Sequence, residues 1–221
     1  MERNVSLEEI SDGRLYELND LVKADCNDCK GCSACCQSMG NSITLDPLDL
    51  YRFTCNLNLT FEELLIDKIE LKVVEGIIMP NLKMQETSER CSFLSSEGRC
   101  DIHSFRPGIC RLFPLGRFYE NHGYKYFLQI HECKKSKTKI KVRKWIDTPD
   151  IKDNEEFVIN WHYFLKDLQK IISNAQDEKL IRNMNLYILN QFYRKPYDAG
   201  IDFYQQFKER LREAREVLEL G

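Results

Sequence analysis

Cys26-Asn27-Asp28-Cys29-Lys30-Gly31-Cys32-Ser33-Ala34-Cys35-Cys36 puts five cysteines into eleven residues. A helix or strand has no use for that composition, so the segment reads as a loop, and the loop decides the character of the chain around it. Two-residue spacers let a loop fold back until two sulfurs reach one metal at about 2.3 Å. Gly31 supplies the backbone freedom such a turn needs. Packing does not account for so many thiols, because a short loop buries little. Disulfides would use them, but only in an oxidising compartment.

The ten cysteines continue in a second block. It runs Cys91-Ser-Phe-Leu, Gly98-Arg99-Cys100-Asp-Ile-His103 and Arg106-Pro107-Gly-Ile-Cys110-Arg111-Leu-Phe113-Pro114, and Cys133 follows. The N-terminus, MERNVSLEEISDGRLYELND, lacks the apolar run of a signal peptide or membrane span. We therefore expect a cytoplasmic protein with reduced thiols, and clustered reduced thiols read as metal ligands. Cys55 stands apart among apolar residues and reads as a small buried hydrophobe rather than a ligand.

The 221 residues are 43% hydrophobic, enough for a real core. The net charge of −3 argues against a generic nucleic-acid binder, which needs a basic excess. Residues 6–24 read as an amphipathic helix on Leu7, Ile10, Leu15, Leu18 and Leu21, weakened at Gly13. Asp46-Pro47 opens a helix, and Thr60-Phe61-Glu62-Glu63 is a capping box opening the next, through about residue 68. Residues 72–84 are a strand or irregular. Residues 113–119 and 124–130 form two strands around Glu120-Asn121-His122-Gly123, with the glycine at the positive-φ position, and 138–145 adds a third strand. Past Thr148-Pro149-Asp150 cysteines cease, and three helices follow near 154–173, 177–193 and 201–219. The expected fold is α+β: an irregular, cysteine-rich, metal-organised core with a small antiparallel sheet, then a helical C-terminal region. The expected division is a cysteine-cluster domain over 1–147 and a helical region over 148–221 packed on it.

Thiolates alone leave the metal open. A tetrahedral zinc site and a [4Fe–4S] cluster both take four cysteines. The run C-x2-C-x2-C-x2-C departs from the bacterial ferredoxin pattern in its last spacer and in the missing proline. The wider pattern, Gly31-Cys32-x-x-Cys35-Cys36, Cys91-x-Phe93-Leu94, Gly98-x-Cys100-x-Ile102-His103 and Arg106-Pro107-x-x-Cys110-Arg111-x-Phe113-Pro114, resembles the YkgJ-type cysteine-cluster family over roughly residues 25–135. That family is defined by its CxxCxxCC run and described as a zinc- or iron-chelating domain. The resemblance implies metal ligation by Cys29, Cys32, Cys35, Cys36, Cys91, Cys100, Cys110 and Cys133, with Cys26 outside the shared run. A related cluster occurs in flagellin lysine-N-methylases. Eight ligands divide into two sites or one polynuclear cluster, and structural zinc would add roughly 10 kcal/mol of apparent folding energy there.

Arg106 and Arg111 read as offsets to thiolate charge. His103 and His131 are reserve ligands, more simply outer-sphere or surface residues. Pro107 and Pro114 stiffen the loop. Nucleotide-binding and nucleophile-elbow motifs are absent. Three functions compete. The first is a metal-binding module holding zinc or iron, including an iron–sulfur cluster. The second is a metal-dependent or iron–sulfur enzyme of protein modification, like the lysine-N-methylases. The third is a protein-docking module, which requires an exposed apolar face on the 201–219 helix. Membrane and nucleic-acid partners are not expected.

Overall fold

The computed structural model describes residues 6–25, 32–133 and 138–220. Its elements are α1 (Leu7–Ile10), β1 (Leu21–Asp25), α2 (Pro47–Leu57), α3 (Phe61–Asp67), β2 (Ile69–Val74), β3 (Ile77–Leu82), α4 (Gly108–Leu112), β4 (Leu115–Glu120), β5 (Gly123–Leu128), β6 (Thr138–Lys141), α5 (Val142–Ile146), α6 (Ile151–Asn174), α7 (Glu178–Leu189) and α8 (Phe203–Val217). The strands pair antiparallel as β1–β6, β2–β3 and β4–β5. With the helical C-terminal region this is an α+β protein. Among the described residues no helix is long and apolar enough to cross a membrane.

Two compact units share the chain. One is Asn41–Lys83 with the chain from Lys152 onward; the other is the N-terminal segment up to Gly40 with Met84–Ile151. The change at 151/152 lies close to the composition break after residue 148. The placement of residues 41–83 with the C-terminal helices is not visible in composition, because it follows from long-range packing. Tyr193 illustrates that packing: it is buried, and its hydroxyl donates to the Leu45 carbonyl at 3.1 Å.

In the helical unit the caps form as the residue types dictate. Asp46 and Asp49 close a capping box on α2 with Pro47 inside it, and Thr60 and Glu63 close another on α3. The β2–β3 hairpin turns on Glu75 and Gly76 at φ of 50° and 85°. Asn185 on α7 ties that turn in, accepting from the Ile78 N–H at 2.7 Å and donating to the Gly76 carbonyl at 3.1 Å. Phe157, Trp161, Phe192 and Phe207 form the aromatic centre, with Phe157 and Phe207 rings 4.6 Å apart. Asn190–Arg194 extends α7 as a π-helical turn, closed by the Lys195 N–H on the Asn190 carbonyl. The apolar stripe of α8 (Phe203, Phe207, Leu211, Ala214) is buried, and the exposed apolar residues of the 201–219 segment are Ile201 and Val217 near its two ends.

The cysteine-bearing unit departs from expectation at its N-terminus. The helix expected over 6–24 is one turn, Leu7–Ile10, and Leu21–Asp25 is a strand. Gly13 sits at φ +74°, Tyr16 pairs with Tyr126, and Val22 and Ala24 alternate into the core. A two-residue period over β1, together with a partner strand, outweighs the helical spacing of the leucines. The central hairpin is as expected, but its two positive-φ residues are Asn121 and His122 at 49° and 56°, while Gly123 begins β5. Two positive angles match the twist of a two-residue turn, and Asn tolerates them well. The third strand, β6, joins β1 rather than this hairpin, and Val142–Ile146 continues as a helical turn. Tyr16, Val22, Ala24, Leu112, Leu115 and Tyr126 share one core with Val142 and Trp145.

Candidate metal centre

The first cysteine block enters the described residues at Cys32. Ala34–Cys36 is a 3-10 turn closed by the Cys36 N–H on the Ser33 carbonyl at 3.0 Å. Gln37 braces it, donating from Nε2 to Ser33 Oγ at 2.9 Å. The chain then runs antiparallel to the second block. The Cys91 N–H donates to the Cys36 carbonyl at 2.9 Å, Gln37 pairs with Arg90, and the Ser38 N–H donates to the Glu89 carbonyl at 2.8 Å. Residues 55 apart in sequence therefore share one backbone ladder. The second block folds on itself as well. Leu94 pairs with Cys100, and the Asp101 N–H reaches the Phe93 carbonyl at 2.9 Å. Gly98 makes the turn at φ +75°, and a Cβ built there would lie 3.8 Å from Ser33 Oγ, so this turn abuts the first block. Arg90 secures it by donating to the Ser95 carbonyl at 2.7 Å.

The electrostatics draw the same residues together. The Cys35 thiol is held well above the usual thiol range by its hydrogen bond with Cys36 and by burial, with Arg106 opposing. Burial also raises Cys100; the Ile102 N–H and Arg106 oppose the rise, and Cys35 adds to it. Cys35 thus lies within electrostatic reach of Cys36, Cys100 and Arg106.

The other expected ligands are placed as follows. Cys91 is buried, flanked by buried Phe93 and Leu94. Cys110 is half-buried on α4, and Cys133 is half-buried and packs against the unit's apolar core. Among the described residues Cys32, Cys35, Cys36, Cys91, Cys100, Cys110 and Cys133 form no disulfide with one another. Cys29 and Cys26 lie outside the described residues. Among the described residues, no three side chains of His, Cys, Asp or Glu are grouped tightly enough to hold one metal ion. The structure thus aligns the backbones of the two blocks and places Cys35 within reach of Cys36 and Cys100. It does not draw the described sulfurs to one point. As donors, free thiols suit zinc and iron.

Cys55 lies in the other unit, on α2, and is exposed rather than buried as expected. Its side chain sits on the outer face of the helix, whose inner face is taken by Leu50 and Phe53. The two arginines separate. Arg106 contacts the His103 ring and acts on Cys35 and Cys100. Arg111 is buried and donates to the Ser104 carbonyl at 2.7 Å and the Asp147 carbonyl at 3.0 Å, joining α4 to the loop before it and the end of α5. His131 is exposed. Ser33 and Gln37 do not stand out in the sequence as parts of the site, because their roles come from pairing two distant segments.

Comparison with the curated proteins and with the solved structures returns no match. A family model does match, over residues 28–138, half of the chain: CxxCxxCC, "Putative zinc- or iron-chelating domain". The match spans both cysteine blocks and the ladder that joins them. The chain belongs to the CxxCxxCC family.

Proposed function

We propose that the cysteine-bearing unit is a metal-chelating module. In it Cys29, Cys32, Cys35, Cys36, Cys91, Cys100, Cys110 and Cys133 ligate zinc or iron as thiolates. The observation carrying this reading is the Cys91 N–H to Cys36 carbonyl hydrogen bond, 2.9 Å, which aligns two ligand-bearing segments remote in sequence. Once bound, the metal supplies a positive centre that keeps the thiols ionised and cross-links the two segments. The chain's own residues do the rest. The ladder from Cys36 to Ser38 against Glu89 to Cys91 holds the segments in register. Arg106 offsets negative charge near Cys35 and Cys100, and Phe93, Leu94 and Ile102 keep water from the inner side. Free thiols suit a reducing, cytoplasmic setting.

The test is anaerobic purification followed by elemental analysis and a visible spectrum. Zinc in a colourless protein supports closed tetrahedral sites. Iron with acid-labile sulfide in a brown protein supports an iron–sulfur cluster. Protein free of both metals, with thiols that fail to take up added zinc or ferrous iron, would remove the reading.

A further inference from the structure

From Lys134 to Lys144 the sequence places seven basic residues in eleven positions with no acidic one, in a chain of net charge −3. The described part of this run is β6 and the start of α5. β6 has one strand neighbour, β1, among the described residues. Val22 pairs with Ile140, and the Val142 N–H donates to the Asp20 carbonyl at 3.0 Å. Alternate residues of an antiparallel strand bond to the same neighbour. Ile140 and Val142 therefore bond toward β1, and Lys139 and Lys141 direct their N–H and C=O groups to the opposite edge. Both lysine side chains are exposed, as is Lys23 on β1. Of the carboxylates along the ladder, Asp25 accepts from the Thr138 hydroxyl at 3.0 Å and Asp20 from the Glu17 N–H at 2.8 Å.

We propose that this edge accepts an extended acidic peptide as a third strand. An open strand edge is a template for another strand, and lysines along it decide which strand is admitted. A second copy of β6 would set lysine against lysine, which is destabilising. A strand with acidic residues at alternate positions meets Lys139 and Lys141 with opposite charge while its backbone completes the ladder. A phosphodiester chain or an anionic membrane would satisfy the lysines and leave the backbone edge unmatched.

The test uses the full-length, metal-loaded protein and a fluorescent, end-blocked octapeptide of alternating Glu and Val, read by anisotropy. Saturable binding is expected. It should weaken by about tenfold or more with the doubly substituted Lys139→Glu, Lys141→Glu protein, and be unchanged by Lys179→Glu at an exposed position on α7. Methylating alternate peptide amides, which keeps the charge and removes the ladder donors, should weaken binding by a similar factor and needs no protein variant. Absence of binding at millimolar peptide, equal affinity for the methylated peptide, or equal or tighter binding of an oligouridylate or of phosphatidylserine vesicles would each overturn the proposal.

Discussion

Replacing Arg111 separates two roles that an arginine beside a thiolate cluster can have. Its guanidinium is buried and donates to two backbone carbonyls, those of Ser104 and Asp147. Arg111→Met keeps much of the aliphatic bulk and removes both donors, leaving two carbonyls short of a partner. Hydrogen bonds from a charged donor contribute about 1.5–3 kcal/mol each, and the two are not additive because the released loop relaxes. We expect a loss of about 2–4 kcal/mol in the stability of the cysteine-bearing unit. Urea unfolding of wild type and variant at saturating metal measures it as a shift in midpoint at constant slope. Metal per chain should stay the same, because these two guanidinium donors are engaged by backbone carbonyls. Arg106→Gln should do the reverse, weakening metal affinity in a chelator competition with a smaller change in midpoint. Unchanged stability with lowered metal content in Arg111→Met would refute the clamp and return Arg111 to charge compensation.

Three further outcomes are expected. Cys36→Ser and Cys100→Ser should each lower metal content by elemental analysis, while Cys55→Ser, exposed and in the other unit, should not; equal loss from all three would undo the ligand assignment. Gly76→Ala should destabilise the helical unit by about 1–3 kcal/mol, because φ is +85° and the new Cβ would lie 2.7 Å from Ile172 Cγ2; an unchanged urea midpoint would refute it. Burial, with the Asp12 hydrogen bond, pushes Tyr16 up to about 12. The unfolded chain ionises near pH 10, so the contribution is whole below about pH 10 and is lost as the pH climbs toward 12. The difference between the ultraviolet phenolate titrations of wild type and Tyr16→Phe should be a single tyrosine ionising late, and a difference centred at about pH 10 would contradict the assignment.

Much of the local structure was readable from residue type. The caps at Asp46 and Thr60 depend on side chains within three residues of the backbone groups they satisfy. The C-terminal helices were legible through a hydrophobic period sustained over several turns. The readings failed where a short segment had two acceptable periods. The leucines of residues 7–21 fit a helix, yet Val22 and Ala24 fit a strand, and β6 settled it from more than a hundred residues away. Cys55 failed for a related reason, since apolar neighbours along a helix do not say which face a given residue occupies.

For the site, sequence alone determined the chemistry: which thiols exist, that their spacing suits a soft metal, and which family pattern they follow. Those properties reside in side-chain identity and in chain separations of a few residues, and no fold is needed to state them. Tertiary structure decided the partnerships. It laid Cys36 beside Cys91, brought Cys100 and Arg106 toward Cys35, turned Arg111 into a backbone clamp and gave Cys55 to the other unit. Contacts between remote segments depend on which arrangement buries the most apolar surface while satisfying the backbone, a balance struck over the whole unit rather than in any local stretch.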